Sequence, residues 1–143
     1  MHRKWIGAAA ALVVLIGGTA NAATLHFMAM LKGGEETPPN ATAGTGMVAA
    51  TLDTASNAFN YHVTYSGLTG PAVAAHFHGP AAPGAAAPPV LPVPKSALSN
   101  PMSGSATLTA AQAADLEAGK WYFNIHTAAN PGGEVRGQVT ERH

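Results

Sequence analysis

Three histidines at strand-like spacing carry the clearest metal-binding chemistry in this chain. His76 and His78 are one residue apart in the run AHFHGP, and His126 ends the alternating run WYFNIH. Side chains two positions apart in a strand point to the same side of a sheet, so His76 and His78 share a face. Imidazole is the commonest side-chain ligand of transition metals near neutral pH. The spacing predicts a copper or zinc site at His76, His78 and His126. The alternative is that all three are polar residues on a solvated sheet face.

Weaker candidates for the same site lie on two other predicted strands. His62 faces outward from the strand before His76 and is a possible fourth ligand, or else a solvated strand histidine. The outward side of the first strand carries His26, Met28 and Met30, and soft thioether ligands favour Cu(I) over zinc. These residues favour copper as the metal. The alternative for the methionines is an apolar patch covered by a proline-rich loop or a neighbouring strand.

A charged pair precedes the C-terminus. Glu134 and Arg136 are two residues apart on one predicted strand face. As an exposed ion pair they would contribute little to stability. The functional alternative is a ligand-orienting role, in which Arg136 holds a ligand carboxylate or steers an anion toward the metal. Both interpretations remain open.

The sequence assigns no catalytic residue. It shows no evident Ser-His-Asp set, phosphate-binding loop or close pair of catalytic carboxylates. Glu35 and Glu36 precede Pro38 in a predicted loop, where solvated acids are the ordinary expectation.

The N-terminus has the pattern of a secretory signal peptide. Basic residues at 2–4 precede an apolar stretch over 6–16, and the small residues Ala20 and Ala22 occupy the two positions that a signal peptidase reads before a cleavage site after Ala22. We expect a signal peptide over residues 1–22, so that the mature protein is exported, periplasmic or secreted, with no membrane span after cleavage. An uncleaved anchor is the alternative, although the apolar stretch is shorter than the roughly 20 residues of a spanning helix.

Composition limits the partners and the stabilising chemistry of the mature chain. Residues 23–143 suffice for a single domain with one core. Without Arg3 and Lys4, five basic residues stand against seven acidic ones, a balance that argues against nucleic-acid binding. The chain has no cysteine, so disulfides and thiolate ligands are excluded. A bound metal must be held by nitrogen, oxygen or methionine sulfur.

Alternating apolar and polar residues predict an all-β fold. A Thr109-x-x-Gln112 capping box predicts one short helix that ends before Gly119. Residues 79–94 contain six prolines and are predicted to form a long loop with at most one short edge strand. We therefore expect an antiparallel Greek-key sandwich or barrel of about six to eight strands. The predicted strands span residues 24–31, 46–53, 57–66, 73–78, 103–109, 120–127 and 134–141.

The alternation also assigns the two faces of each strand. In the strand that carries His76, Val73, Ala75 and Phe77 are predicted to face the core. In the strand that carries His126, Tyr122 and Asn124 are predicted to point outward with the histidine. The histidines should therefore lie on the outer face of the sheet.

Five short motifs follow one another along the chain: GEETPP (34–39), YSGL (65–68), AHFHGP (75–80), NIHT (124–127) and GGEVRGQ (132–138). In this order they resemble the CHRD domain, the module named after chordin. The resemblance covers residues 25–139 and implies an all-β domain, found in chordin and in many exported bacterial proteins, without defining a biochemical role.

A fainter resemblance links the chain to copper/zinc superoxide dismutase. That all-β enzyme has a His-x-His on one strand and a Gly-x-Arg-x-x-Gly-like segment near its C-terminus, which residues 133–137 match in part. The chain lacks the cysteine pair and the zinc loop of the enzyme, which argues against dismutase activity.

The sequence is compatible with three functions. The protein is an exported protein that binds copper or zinc, a non-catalytic interaction or matrix module with structural histidines and a protein partner, or a copper redox enzyme.

Overall fold

The computed structural model describes residues 10–11 and 21–143. The remaining residues of the predicted signal peptide, 1–9 and 12–20, lie outside the described residues. In the part of the chain that is described, no helix is both long and apolar enough to cross a membrane.

The described chain forms eight strands and one α-helix. The helix α1 (Ala110–Glu117) begins with the predicted capping box: Thr109 Oγ1 accepts from the Gln112 backbone N–H, and the Gln112 side chain accepts from the Thr109 backbone N–H. The short edge strand predicted within the proline-rich segment is present as β5. The strands are β1 (Thr24–Lys32), β2 (Thr45–Asp53), β3 (Ala58–Ser66), β4 (Ala72–His78), β5 (Pro89–Pro92), β6 (Met102–Thr107), β7 (Trp121–Thr127) and β8 (Val135–Arg142).

All eight strands belong to one antiparallel sheet in the order β5-β4-β7-β8-β1-β2-β3-β6. Residues 67–71 join β3 to β4, although four strands separate these two in the sheet. So short a connection is possible because the sheet curls into a half-barrel that brings them face to face. Phe59 on β3 packs edge-to-face against Phe77 on β4, with ring centroids 5.3 Å apart. The predicted antiparallel all-β fold with one short helix is confirmed.

The concave face of the half-barrel holds the hydrophobic core. Phe27, Val48 and Ile125 are buried there, at the inward positions of their alternating strands. The prediction that Val73 faces the core is wrong, because this residue is 49% exposed. The pairing of β4 with β7 is irregular between Ala72 and Ala74, and this irregularity interrupts the alternation.

Part of the convex face is also covered, which the strand pattern did not predict. The segment that follows β4 folds back over β7 and β8, and its backbone carbonyls accept side-chain hydrogen bonds. Ala81 O accepts from Gln138 Nε2 at 2.8 Å, and Ala85 O accepts from Arg136 Nη2 at 2.6 Å. Tyr122 and Asn124 point outward as predicted, yet both are buried.

Candidate metal centre

The three predicted histidines converge on the convex face of β4 and β7. These strands are neighbours, and their register places His76 opposite Asn124 and Ala74 opposite His126. One potential ligand atom from each of His76, His78 and His126 lies within 4.8 Å of the others. The Nδ1 atom of His76 is 3.3 Å from Nε2 of His126. The alternative of three solvated residues on an open sheet face does not hold, because His78 is only 8% exposed and the other two are half-buried.

Backbone carbonyls determine which ring nitrogens can bind a metal. Nδ1 of His78 lies 2.9 Å from Ala87 O, and Nδ1 of His126 lies 2.8 Å from Pro131 O. A carbonyl oxygen only accepts, so each Nδ1 carries the hydrogen and donates it. In the neutral ring this leaves a lone pair on Nε2. Metal-binding histidines are commonly oriented in this way.

The surroundings keep two of the rings neutral. Burial lowers the pKa of His76 below its ordinary value of 6.5, and the neighbouring His126 and His78 lower it further. Burial also lowers the pKa of His78, and this effect outweighs its hydrogen bonds to Ala87 and Asn124. Neutral imidazoles have the free lone pair that a metal requires.

The side chain of Asn124 lies between two of these rings. Its Oδ1 atom is 2.9 Å from Nε2 of His78 and 3.0 Å from Nε2 of His126. Because both Nδ1 atoms carry the hydrogen, the Nε2 atoms of His78 and His126 and the Oδ1 atom of Asn124 all present lone pairs to one another, and these lone pairs repel. Three arrangements relieve this repulsion. A cation can lie among the three atoms, the Asn124 amide can make a half-turn that directs its NH₂ group at both rings, or one ring can take up a second proton and donate its Nε2–H to Oδ1.

A stacked tyrosine fixes the position of the His78 ring. The His78 and Tyr122 rings are nearly parallel, with centroids 4.6 Å apart. From β8, on the other side of β7, the Arg136 guanidinium lies 3.5 Å from the centre of the Tyr122 ring. The Tyr122 hydroxyl donates to Ala87 O and accepts from the Ala87 N–H, each at 3.1 Å. The same carbonyl therefore positions both His78 and Tyr122.

Glu36 is a buried carboxyl group beside the centre, and the expectation that it is a solvated loop residue is wrong. It is 4% exposed, and its Oε1 atom has no hydrogen-bond partner. Burial raises the pKa of Glu36 to about 7, against the lowering effects of the Arg136 charge and of hydrogen bonds from Thr37 and Asn124. No local sequence signal marks this residue, because its burial depends on the return of the 33–44 segment over the sheet.

Glu134 and Arg136 do not form the predicted surface ion pair. Both are buried, and within residues 21–143 no salt bridge joins them. Arg136 instead donates to Ala85 O and to Thr37 Oγ1. The role of these two residues in orienting a ligand stays a prediction.

Hydrogen-bond donors from several loops surround the Glu134 carboxylate. Burial raises the pKa of Glu134, but hydrogen bonds from Thr69, Thr127 and Thr42 outweigh it and hold the pKa at about 2. The donors are Thr42 Oγ1, the Thr69 N–H and hydroxyl, Thr127 Oγ1 and Asn130 Nδ2. Glu134 thus links the loop before β2, the β3–β4 connection and the β7–β8 turn.

The structure does not bring the weaker candidates into the centre. His62 lies on β3, five positions from β4 in the sheet, and its Nδ1 is 3.0 Å from Ser103 Oγ. His26, Met28 and Met30 lie on β1, three strand spacings or about 14 Å from β4. Met30 is 61% exposed and pairs with the exposed Met47 on β2, so it is not covered, whereas Met28 is half-buried.

These observations define an all-β domain with three convergent imidazoles on the outer face of a curled sheet. The model of the CHRD domain family matches residues 27–139, and the chain belongs to this family. The resemblance read from the five sequence motifs is thereby confirmed. Comparisons with curated proteins and with solved structures found no significant match.

Proposed function

We propose that this CHRD-domain protein is exported and binds one transition-metal ion, without catalysis, through His76, His78 and His126. One observation carries the proposal. The three imidazoles converge within 4.8 Å while the second nitrogens of two of them donate to the carbonyls of Ala87 and Pro131. That arrangement leaves both Nε2 lone pairs free for a metal.

Copper is the proposed metal and zinc the alternative. At imidazole sites Cu(II) binds more tightly than Zn(II), and neither ion prefers the all-oxygen ligand sets of calcium and magnesium. The thioethers of Met28 and Met30 no longer bear on this choice, because β1 lies two strand spacings from β7 and three from β4, or about 10 to 14 Å. The preference for copper therefore rests on the imidazoles.

Titration calorimetry on the purified, metal-free protein tests the proposal. We expect stoichiometric, submicromolar binding of Cu(II), with weaker binding of Zn(II). A His76→Ala/His126→Ala variant should lose the submicromolar binding of Cu(II). A His26→Ala/His62→Ala variant is the matched control, because it also removes two outward-facing histidines but leaves the centre intact. Equal affinities in both variants, or no binding to the wild type, would refute the proposal.

Export rests on the N-terminal pattern of basic residues, apolar stretch and small residues. N-terminal sequencing of the protein recovered from outside the cytoplasm should begin at Ala23. A protein that stays in the cytoplasm with residues 1–22 attached contradicts this part of the proposal.

A non-catalytic interaction module is the second candidate, and the exposed Met30 and Met47 favour it. Their side chains are 61% and 42% exposed on adjacent strands, where apolar groups would gain most from a protein partner. Under this function the histidines only maintain hydrogen bonds across the sheet. The same titration separates the candidates, because a pure interaction module binds no metal tightly.

A further inference from the structure

The Asn124 side chain has the position of a fourth ligand. Neighbouring donor atoms that bind one metal at 2.0–2.1 Å lie about 2.9 Å apart in a square plane and about 3.3 Å apart in a tetrahedron. Asn124 Oδ1 lies 2.9 and 3.0 Å from the Nε2 atoms of His78 and His126. His76 Nδ1 lies 3.3 Å from His126 Nε2. All three distances fall within this range.

We infer that Asn124 Oδ1 completes a closed N₃O site with the three histidines, and that Glu36 is the residue that positions its amide. This inference rests on the proposed metal-binding function. The metal is the cation that would relieve the repulsion between the amide oxygen and the two Nε2 lone pairs. Asn124 is buried within β7, so its backbone position is held by the strands on either side.

Glu36 accounts for the orientation of the amide. Glu36 is buried, and hydrogen bonding by the Asn124 side chain lowers its pKa, which places a donor group of Asn124 beside the carboxyl. Only the NH₂ group of an amide donates, so this contact directs NH₂ toward Glu36 and Oδ1 toward the rings. Gly133 makes room for the carboxyl, because a Cβ atom there would lie 2.5 Å from Glu36 Oε1.

The ligand set predicts which metal is held and what it does. A neutral amide oxygen is a hard ligand, so an N₃O site favours Cu(II) or Zn(II) over Cu(I). A site with four protein ligands also leaves no open position, whereas catalytic metals keep one for water or substrate. The protein should therefore hold a divalent ion without exposing it to small molecules.

Azide binding to the Cu(II)-loaded protein tests the inference. Azide coordinates only where the metal has an open or water-filled position, and it then adds a charge-transfer absorption band. We expect no band with the wild type and a clear band with Asn124→Ala. Asn124→Asp supplies an oxygen ligand at the same place and should again exclude azide. Asn60→Ala, on the outward face of β3, is the control and should behave like the wild type.

Affinity and folding measurements complete the test. Asn124→Ala should bind Cu(II) about tenfold or more weakly than the wild type. Glu36→Leu removes the acceptor for the amide and should allow partial azide binding. Thermal unfolding of each metal-free variant shows that it is folded before loading.

The possible failures are distinguishable. If the wild type binds Cu(II) through the histidines but takes azide as readily as Asn124→Ala, the fourth ligand is refuted and the proposed function stands. If Glu36→Leu excludes azide as the wild type does, the positioning role of Glu36 is refuted. If the wild type binds no metal at all, the proposed function itself fails.

Discussion

Replacing Glu36 with glutamine should change how the stability of the metal-free protein depends on pH. Burial raises the pKa of the Glu36 carboxyl from 4.5 to about 7 in the folded protein. Between these two values the folded chain binds a proton that the unfolded chain has released. The wild type is therefore expected to lose stability as the pH rises from 4.5 to 7.

The size of this loss follows from the two pKa values. Each pH unit of difference corresponds to 1.36 kcal/mol, so a pKa raised from 4.5 to about 7 is worth about 3 kcal/mol. Glu36→Gln keeps the shape of the protonated acid but cannot ionise. Its free energy of unfolding should match that of the wild type near pH 4.5. It should exceed the wild-type value by up to about 3 kcal/mol at pH 8.

Urea unfolding at several pH values from 4.5 to 8 measures the effect. Glu35→Gln is the matched control, because it removes the neighbouring carboxylate of an exposed ion pair with Lys32, worth at most about 1 kcal/mol. This control should keep the wild-type pH dependence. If Glu36→Gln retains the same slope as the wild type, the argument that burial dominates the Glu36 carboxyl is refuted.

Three further changes have expected outcomes. Glu134→Gln should destabilise the protein at pH 7 by about 3 kcal/mol in urea unfolding, because the pKa of Glu134 is held at about 2 instead of 4.5. The difference from the wild type should shrink as the pH falls from 4.5 toward 2, and a constant difference would contradict the reasoning. Gly137→Ala should lower the free energy of unfolding by about 1–3 kcal/mol, because its Cβ atom would lie 2.1 Å from the backbone oxygen of Met30. Gly132→Ala, with nothing within 4 Å of the new atom, is the control, and equal losses in the two variants would count against this contact. Thr109→Ala removes the helix cap and should cost about 1 kcal/mol in thermal or urea unfolding, whereas an unchanged midpoint would show that the capping box is dispensable.

The strands and the three histidines could be predicted because their signals are local. Alternation in β4 assigned Ala75 and Phe77 to the core, and both are buried. The two-residue spacing in His76-Phe77-His78 placed both rings on the outer face. Neighbouring strands then carried His126 to the same place. Val73 failed only because an irregular pairing interrupts the alternation.

The surroundings of the centre could not be predicted, because they depend on long-range packing. His62 is near His76 in sequence, but the β3–β4 connection crosses the curled sheet and separates the two strands by four others. Asn124 and Arg136 are buried because the segment after β4 folds back over the outer face. Glu36 is buried because the 33–44 segment returns toward β7 and β8. Strand periodicity contains no information about such loops.

Anomalous diffraction at the copper edge, from crystals of the Cu(II)-loaded protein, tests the central claim most directly. We predict one strong peak about 2.0–2.2 Å from a ring nitrogen of each of His76, His78 and His126. A copper peak beside other residues, or no ordered copper in a protein that is otherwise intact, would contradict the proposed metal centre.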